Sequence, residues 1–128
     1  MLDIDMEFKH GILIVRLKGV LNGDTVSLLK SDLEMVIKDN GIKYVLLNLK
    51  KLSYIDNYGL EAIKKSYEQI VNNKGKLILC GIDKIFNSNQ ILTDNLYQVN
   101  EEVTAYEIVN IWKIKQKFCQ KMKTSYTT

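Results

Sequence analysis

The residues best placed to do chemistry form a short polar hinge, Asp56-Asn57-Tyr58-Gly59. It separates an apolar run (Tyr44, Val45, Leu46, Leu47, Leu49) from a segment with helical spacing (Leu60, Ile63, Tyr67, Ile70, Val71). A buried strand that turns into a helix over so few residues leaves the first helical N–H groups facing outward. Such a junction suits an anion, a phosphorylated side chain or a carboxylate of a partner. Asp56 reads as the N-cap of the helix, accepting from the N–H of Tyr58 or Gly59. The same carboxylate is also a candidate contact for a partner or for a magnesium-bound nucleotide. Gly59 points to close helix–strand packing or to a special backbone conformation. Tyr58 reads either as an exposed aromatic anchor or as a half-buried ring sealing the sheet edge. Ser53 keeps a hydroxyl near the hinge, where a strand-end serine usually bonds backbone.

Elsewhere the sequence offers little that could catalyse. His10, the only histidine, sits in a turn signal without a serine, cysteine or acid pattern around it. Cys80 lies in an apolar run and reads as a small core residue. With Cys119 it makes neither a disulfide framework nor, with His10, a metal-ligand spacing. No Walker-type glycine loop is present. No acid/base or nucleophile constellation appears, so no enzyme, cofactor or metal is expected. The net charge of +3 is mild, and Arg16 is the only arginine among 18 basic residues. Both facts argue against nucleic-acid recognition. The lysines after Trp112 read as a solvated helix terminus, favoured by the helix dipole over lipid or nucleic-acid docking. The acidic N-terminus MLDIDMEF lacks the basic region of a signal peptide. No apolar run nears the roughly 18–20 residues needed to cross a bilayer. The expectation is a reduced, cytoplasmic protein with no membrane insertion.

The elements that must position the hinge follow from periodicity. Ile4–Lys9 and Gly11–Lys18 read as a hairpin turning at His10-Gly11. A break at Gly19–Gly23 is followed by Asp24 as cap and a helix over Thr25–Asn40, with Val26, Leu29, Leu33, Val36 and Ile37 on one face. Asn40-Gly41 ends it. Lys43–Leu49 is the central strand, and a second helix runs from Asn57–Gly59 to Asn73. Lys76–Cys80 is an internal strand, Asp83–Asn95 holds a short helix, and Leu96–Val99 is an edge strand. Thr104 and Glu107 form a capping box for a last helix to about Lys121, with Ala105, Ile108, Val109 and Trp112 inward. The whole is one domain over residues 1–123 with a frayed tail at 124–128. At this length about two-thirds of the unfolded chain's surface can be buried. Strands joined through helices pair in parallel, with right-handed crossovers.

This order of elements, and the phrase LNLKKLSYIDNYGLEAI above all, resembles a STAS domain of the anti-sigma factor antagonist type. The resemblance covers roughly Ile4 to Trp112. Its most specific part is the hydrophobic strand followed by Asp56, two residues, and Gly59-Leu60, where the family's usual form is Asp-Ser-Ser-Gly-Leu. Asn57 and Tyr58 therefore stand in the two serine places. The resemblance implies an α/β fold with a mixed, mostly parallel sheet of about five strands and about four helices packed mainly on one face. It implies a partner-switching protein that binds an anti-sigma factor of the serine-kinase type, whose kinase phosphorylates the second serine of the motif. A phosphoryl group adds about −2 charge, enough to break a close interface. Here the acceptor position carries Tyr58, longer than serine by a whole ring, and Asn57 has no hydroxyl. Asn22 stands where the family often has Asp. The expected contact surface is Asn22, Asp24, Thr25, Asp56, Asn57, Tyr58, Gly59, Leu60, Glu61 and Lys64, with Lys65 beside it. The alternatives are a small-ligand or nucleotide sensor and a subunit of a larger regulatory or transport assembly.

Overall fold

In the computed structural model, residues 1–81 and 97–126 are described, with backbone only at 39–40 and 118–126. Strand β1 (Leu2–Lys9) turns into β2 (Ile12–Leu21), helix α1 (Val26–Asn40) follows, then β3 (Tyr44–Ile55), α2 (Asn57–Asn72), β4 (Lys76–Cys80), β5 (Tyr97–Val99) and α3 (Glu102–Tyr126). The five strands form one sheet in chain order, β1 antiparallel to β2 and the other pairs parallel. His10 and Gly11 both take positive φ, 56° and 78°. That is the mirror-image two-residue turn whose twist matches a hairpin.

The central strands are apolar on both faces because each face is covered. Leu13, Val15 and Leu17 of β2, Val45, Leu47 and Leu49 of β3, and Leu77 and Leu79 of β4 point to the side holding Leu29, Leu33, Ile63 and Ile70 of α1 and α2. The alternate residues Ile12, Ile14, Leu46, Ile78 and Cys80 meet Ala105 and Val109 of α3 on the other side. Two described helices thus share one face and α3 closes the opposite one. Arg16 clamps that closure, donating to both carboxylate oxygens of Glu102 at 2.9 and 3.0 Å. Asn48 adds a 2.7 Å bond to the same carboxylate. These donors hold Glu102 below the usual carboxylate range, the Arg16 bond foremost.

Several boundaries differ from those expected. β3 continues past Leu49 to Ile55, because the second half of β2 offers a partner as far as Leu21↔Ile55. Lys51, Ser53 and Tyr54 face solvent there, so the apolar signal fades while the ladder persists. Thr25, not Asp24, is the N-cap of α1, and its side chain makes no capping bond. Its hydroxyl instead donates to the Val20 carbonyl at 2.9 Å. α3 starts at Glu102, which places Thr104 inside the helix and not at its cap. In α2, Val71 is exposed and Ser66 is buried in its place, its hydroxyl bonded to the Ala62 carbonyl at 2.9 Å. The short helix expected over Asp83–Asn95 lies outside the described residues.

Candidate functional site

At the carboxyl ends of β2 and β3 two loops are knitted together. Asn22 begins the first: its side-chain oxygen accepts from the N–H groups of Asp24 and Thr25 at 3.0 and 3.2 Å. This is an Asx-turn, the local bond that short polar side chains favour over a strand ladder. Its own N–H donates to the Thr25 hydroxyl at 2.9 Å. The second loop is the hinge. Asp56 caps α2, one carboxylate oxygen accepting from the N–H of Gly59 at 2.9 Å. The other accepts from the N–H of Gly23 at 3.2 Å, and the Asp56 N–H donates to the Leu21 carbonyl at 3.2 Å. One carboxylate therefore fixes both a helix start and the neighbouring loop.

Gly59 is needed for space. A Cβ there would sit 2.6 Å from Ile55 Cγ1 and 2.7 Å from the Leu21 carbonyl oxygen, well inside van der Waals contact. Packing α2 this tightly against the strand ends leaves Tyr58 nowhere to go but outward. Its ring is 70% exposed, and it rests over Gly23, where a Cβ would lie 3.3 Å from Tyr58 Cδ2. Of the two readings open for Tyr58, the half-buried ring sealing the sheet edge is not found: the residue is exposed. Ser53 bonds backbone: its hydroxyl donates to the Gly19 carbonyl at 2.8 Å.

The structure brings Asn22, Asp24, Asp56, Asn57 and Tyr58 to one end of the molecule, with Leu60 half-buried behind them. Thr25 and Gly59 are buried and shape that end from beneath. Tyr58 also closes one end of a groove of about 490 Å³ between α1 and α2, walled by Val26, Leu33, Glu61, Ala62 and Lys65. Lys64 is exposed but does not line it. The α1 wall was not anticipated. Ser27, Lys30 and Glu34 contribute to it, yet they sit on the polar side of an ordinary amphipathic helix and carry no motif. Only the exposed Leu28 and Met35 mark α1 as unusual.

The remaining candidates stay apart from this end. His10 is exposed in the hairpin turn, its ring 5.3 Å from that of Tyr106. Cys80 is buried, donating weakly to the Asn100 carbonyl at 3.6 Å, and burial pushes its thiol pKa up. Among the described residues no cluster of three or more His, Cys, Asp or Glu is placed to hold a metal. None of the described helices is long and apolar enough to cross a membrane.

The mixed, mostly parallel five-stranded sheet and its aspartate-capped strand-to-helix turn fit the STAS domain that the sequence resembles. Residues 3–93 match the family model described as STAS domain, and the chain belongs to that family. Within it, the chain is like the anti-sigma factor antagonists. It is 32% identical over 82 residues to the anti-sigma F factor antagonist of Paenibacillus polymyxa, covering 64% of this chain and 70% of that protein. In fold it is similar to the anti-sigma factor antagonist SpoIIAA in its unphosphorylated form, with a TM-score of 0.70 at 16% identity over 84% of this chain and 98% of that one. The phosphorylated form of the Bacillus cell fate determinant SpoIIAA matches with a TM-score of 0.66, also at 16% identity, over 83% of this chain and 99% of that one.

Proposed function

We propose that this STAS domain is a non-enzymatic partner-switching module of the bacterial cytoplasm. It binds an anti-sigma factor of the serine-kinase type through Asn22, Asp24, Asp56–Leu60 and the exposed flank of α2 at Glu61 and Lys64. It is not switched by serine phosphorylation. The observation that carries this reading is Tyr58, an aromatic ring 70% exposed at the place where the family's usual motif has its acceptor serine. A kinase site shaped for a serine hydroxyl does not hold a phenol in line for transfer, since near-attack geometry tolerates errors of about 1 Å at most. Asn57 offers no hydroxyl, and the nearby Ser53 hydroxyl is spent on the Gly19 carbonyl. Exposed tyrosines anchor interfaces well because they bury much area at low entropic cost.

The test mixes the purified protein with an anti-sigma kinase from the same genome, with and without ATP, followed by size-exclusion chromatography and intact-mass measurement. A stable complex and an unchanged mass are expected in both conditions. One added phosphate on Tyr58 or Ser53 would overturn the unswitched reading. The groove of about 490 Å³ beside Tyr58 favours a second reading, a small-ligand or nucleotide sensor. Saturable ligand binding by the protein alone, with no kinase complex, would select it.

A further inference from the structure

At the amino ends of β3 and β4, away from the hinge, lies a cleft of about 370 Å³. Lys43, Lys74, Lys76 and Lys115 line it with the rings of Tyr44 and Trp112, and no carboxylate of the described residues does. None of the four lysines forms an ion pair with a described residue. Ammonium groups gathered around one concavity repel each other, and a bound anion relieves that repulsion.

Three features go beyond a chance gathering of surface lysines. The first is preorganisation. The Lys76 ammonium lies over the Trp112 ring at 4.9 Å and the Tyr97 ring at 5.3 Å, while Trp112 is stacked on Tyr44 at 6.0 Å and edged by Tyr97 at 4.7 Å. Cation–π contacts of this kind hold an ammonium in place without neutralising it. The second is Lys74. It takes the left-handed conformation after α2, with φ of 64°, at a helix C-terminus where glycine or asparagine is the usual choice. Gly75 follows directly but serves another need, since a Cβ there would meet the Lys43 carbonyl at 2.5 Å. A lysine held where it costs backbone energy points to a use for its charge. The third is the charge layout of the sequence. Residues 1–112 carry 13 basic and 15 acidic side chains, whereas 113–128 carry five lysines and no acid. The stem of α3 that reaches this cleft is thus the basic end of an otherwise slightly acidic chain.

We propose that this cleft binds a compact, multiply phosphorylated anion, independently of the partner surface at the hinge. Several point charges on flexible stems suit the clustered oxygens of such a ligand. Trp112 is already engaged by the Tyr44 ring and by the Lys76 ammonium, so the phosphates themselves, met by the lysines, are what is recognised.

Trp112 is the only tryptophan, which makes its fluorescence a reporter of the cleft. Titration of the full chain with tripolyphosphate is expected to give a saturable fluorescence change, at least tenfold tighter than orthophosphate and weakening steeply with added salt. Lys43→Gln with Lys115→Gln is expected to weaken binding at least tenfold. Lys74→Gly is the sharper variant: it weakens binding several-fold while raising Tm, because glycine accepts the left-handed backbone without strain. Equal affinity of wild type and both variants would overturn the proposal, leaving adventitious ion binding. Binding of phosphatidylglycerol vesicles, or of an oligothymidylate, without a response to tripolyphosphate would also overturn it, in favour of a surface for extended polyanions.

Discussion

The two ends of the sheet solve opposite problems. At the carboxyl ends of β2 and β3, Asp56 spends both carboxylate oxygens inside the chain, on Gly59 and Gly23, and Ser53 spends its hydroxyl on Gly19. What stands out most on the outside is one large ring, Tyr58, with Asp24 and Asn57 exposed beside it. At the amino ends of β3 and β4 the rings are turned inward against one another, and what remains for the outside is charge. On the function proposed above, a partner meeting the first end finds an aromatic anchor, whose affinity depends on fit. A ligand meeting the second finds ammonium groups, whose affinity depends on salt. Taken together, the two proposals have one αβ scaffold separate a shape-reading surface from a charge-reading one.

The most severe way to break this contrast is to loosen the hinge end. Gly59→Ala forces a methyl group against Ile55 and the Leu21 carbonyl, and overpacking of this kind costs about 3 kcal/mol. Urea unfolding is expected to show that loss. A loss below about 0.5 kcal/mol would mean that the helix start can back away and that Tyr58 is not rigidly presented.

Tyr58→Ala probes the anchor without touching the frame. Truncating a central interface tyrosine costs about 2 kcal/mol of binding, roughly a thirtyfold weaker kinase complex by calorimetry. Stability should change by less than about 0.5 kcal/mol, as for other exposed positions. The comparison is sharpened by Lys43→Gln in the same assay, which should leave kinase affinity unchanged. If both substitutions weaken the complex equally, the two ends are one surface.

Asp56 separates capping from contact. Asp56→Ala removes the bonds to Gly59 and Gly23, and losing a cap of this kind costs about 1.5 kcal/mol. Asp56→Asn keeps an acceptor oxygen and should cost about 0.5 kcal/mol. A kinase affinity that falls equally in both variants would show that the charge itself touches the partner.

Most of the hinge was legible before the fold was known, because its signals are local. A cap, a glycine and a switch of period from two to about 3.6 occupy a dozen consecutive residues. Element order was legible for the same reason. What sequence could not supply were relations made by distant parts. β3 runs on to Ile55 because β2 happens to pair with it, and nothing in Lys51 or Ser53 announces that. The clamp that fastens α3 opposite α1 and α2 joins Arg16 and Glu102, 86 residues apart. The basic cleft joins Lys43, Lys74, Lys76 and Lys115, which in the sequence are ordinary surface lysines. The α1 wall of the groove was invisible because polar helix residues look alike whether or not a second helix lies beside them.

The clamp yields the smallest effect and a defined sign. The Arg16 bond holds the Glu102 carboxyl below its ordinary value, and Glu102 retains 22% exposure of its side chain. A group whose folded pKa is depressed stabilises the protein above its unfolded pKa, which for glutamate is about 4.3. That contribution is lost as pH falls from there through the folded value. Part-buried charged bonds of this kind contribute about 1 kcal/mol. The urea midpoint of the wild type should therefore fall between about pH 5 and pH 3 by more than that of Glu102→Gln, which keeps the shape and cannot titrate. Because α3 carries Trp112 and Lys115 to the basic cleft, the same variant also asks whether the two ends are coupled. Loosening the start of α3 should shift Trp112 fluorescence while leaving the hinge untouched. Parallel pH curves for the two proteins would remove Arg16–Glu102 as the fastening of that helix and leave it to the apolar contacts of Ala105 and Val109 and the Lys113 bond to the His10 carbonyl.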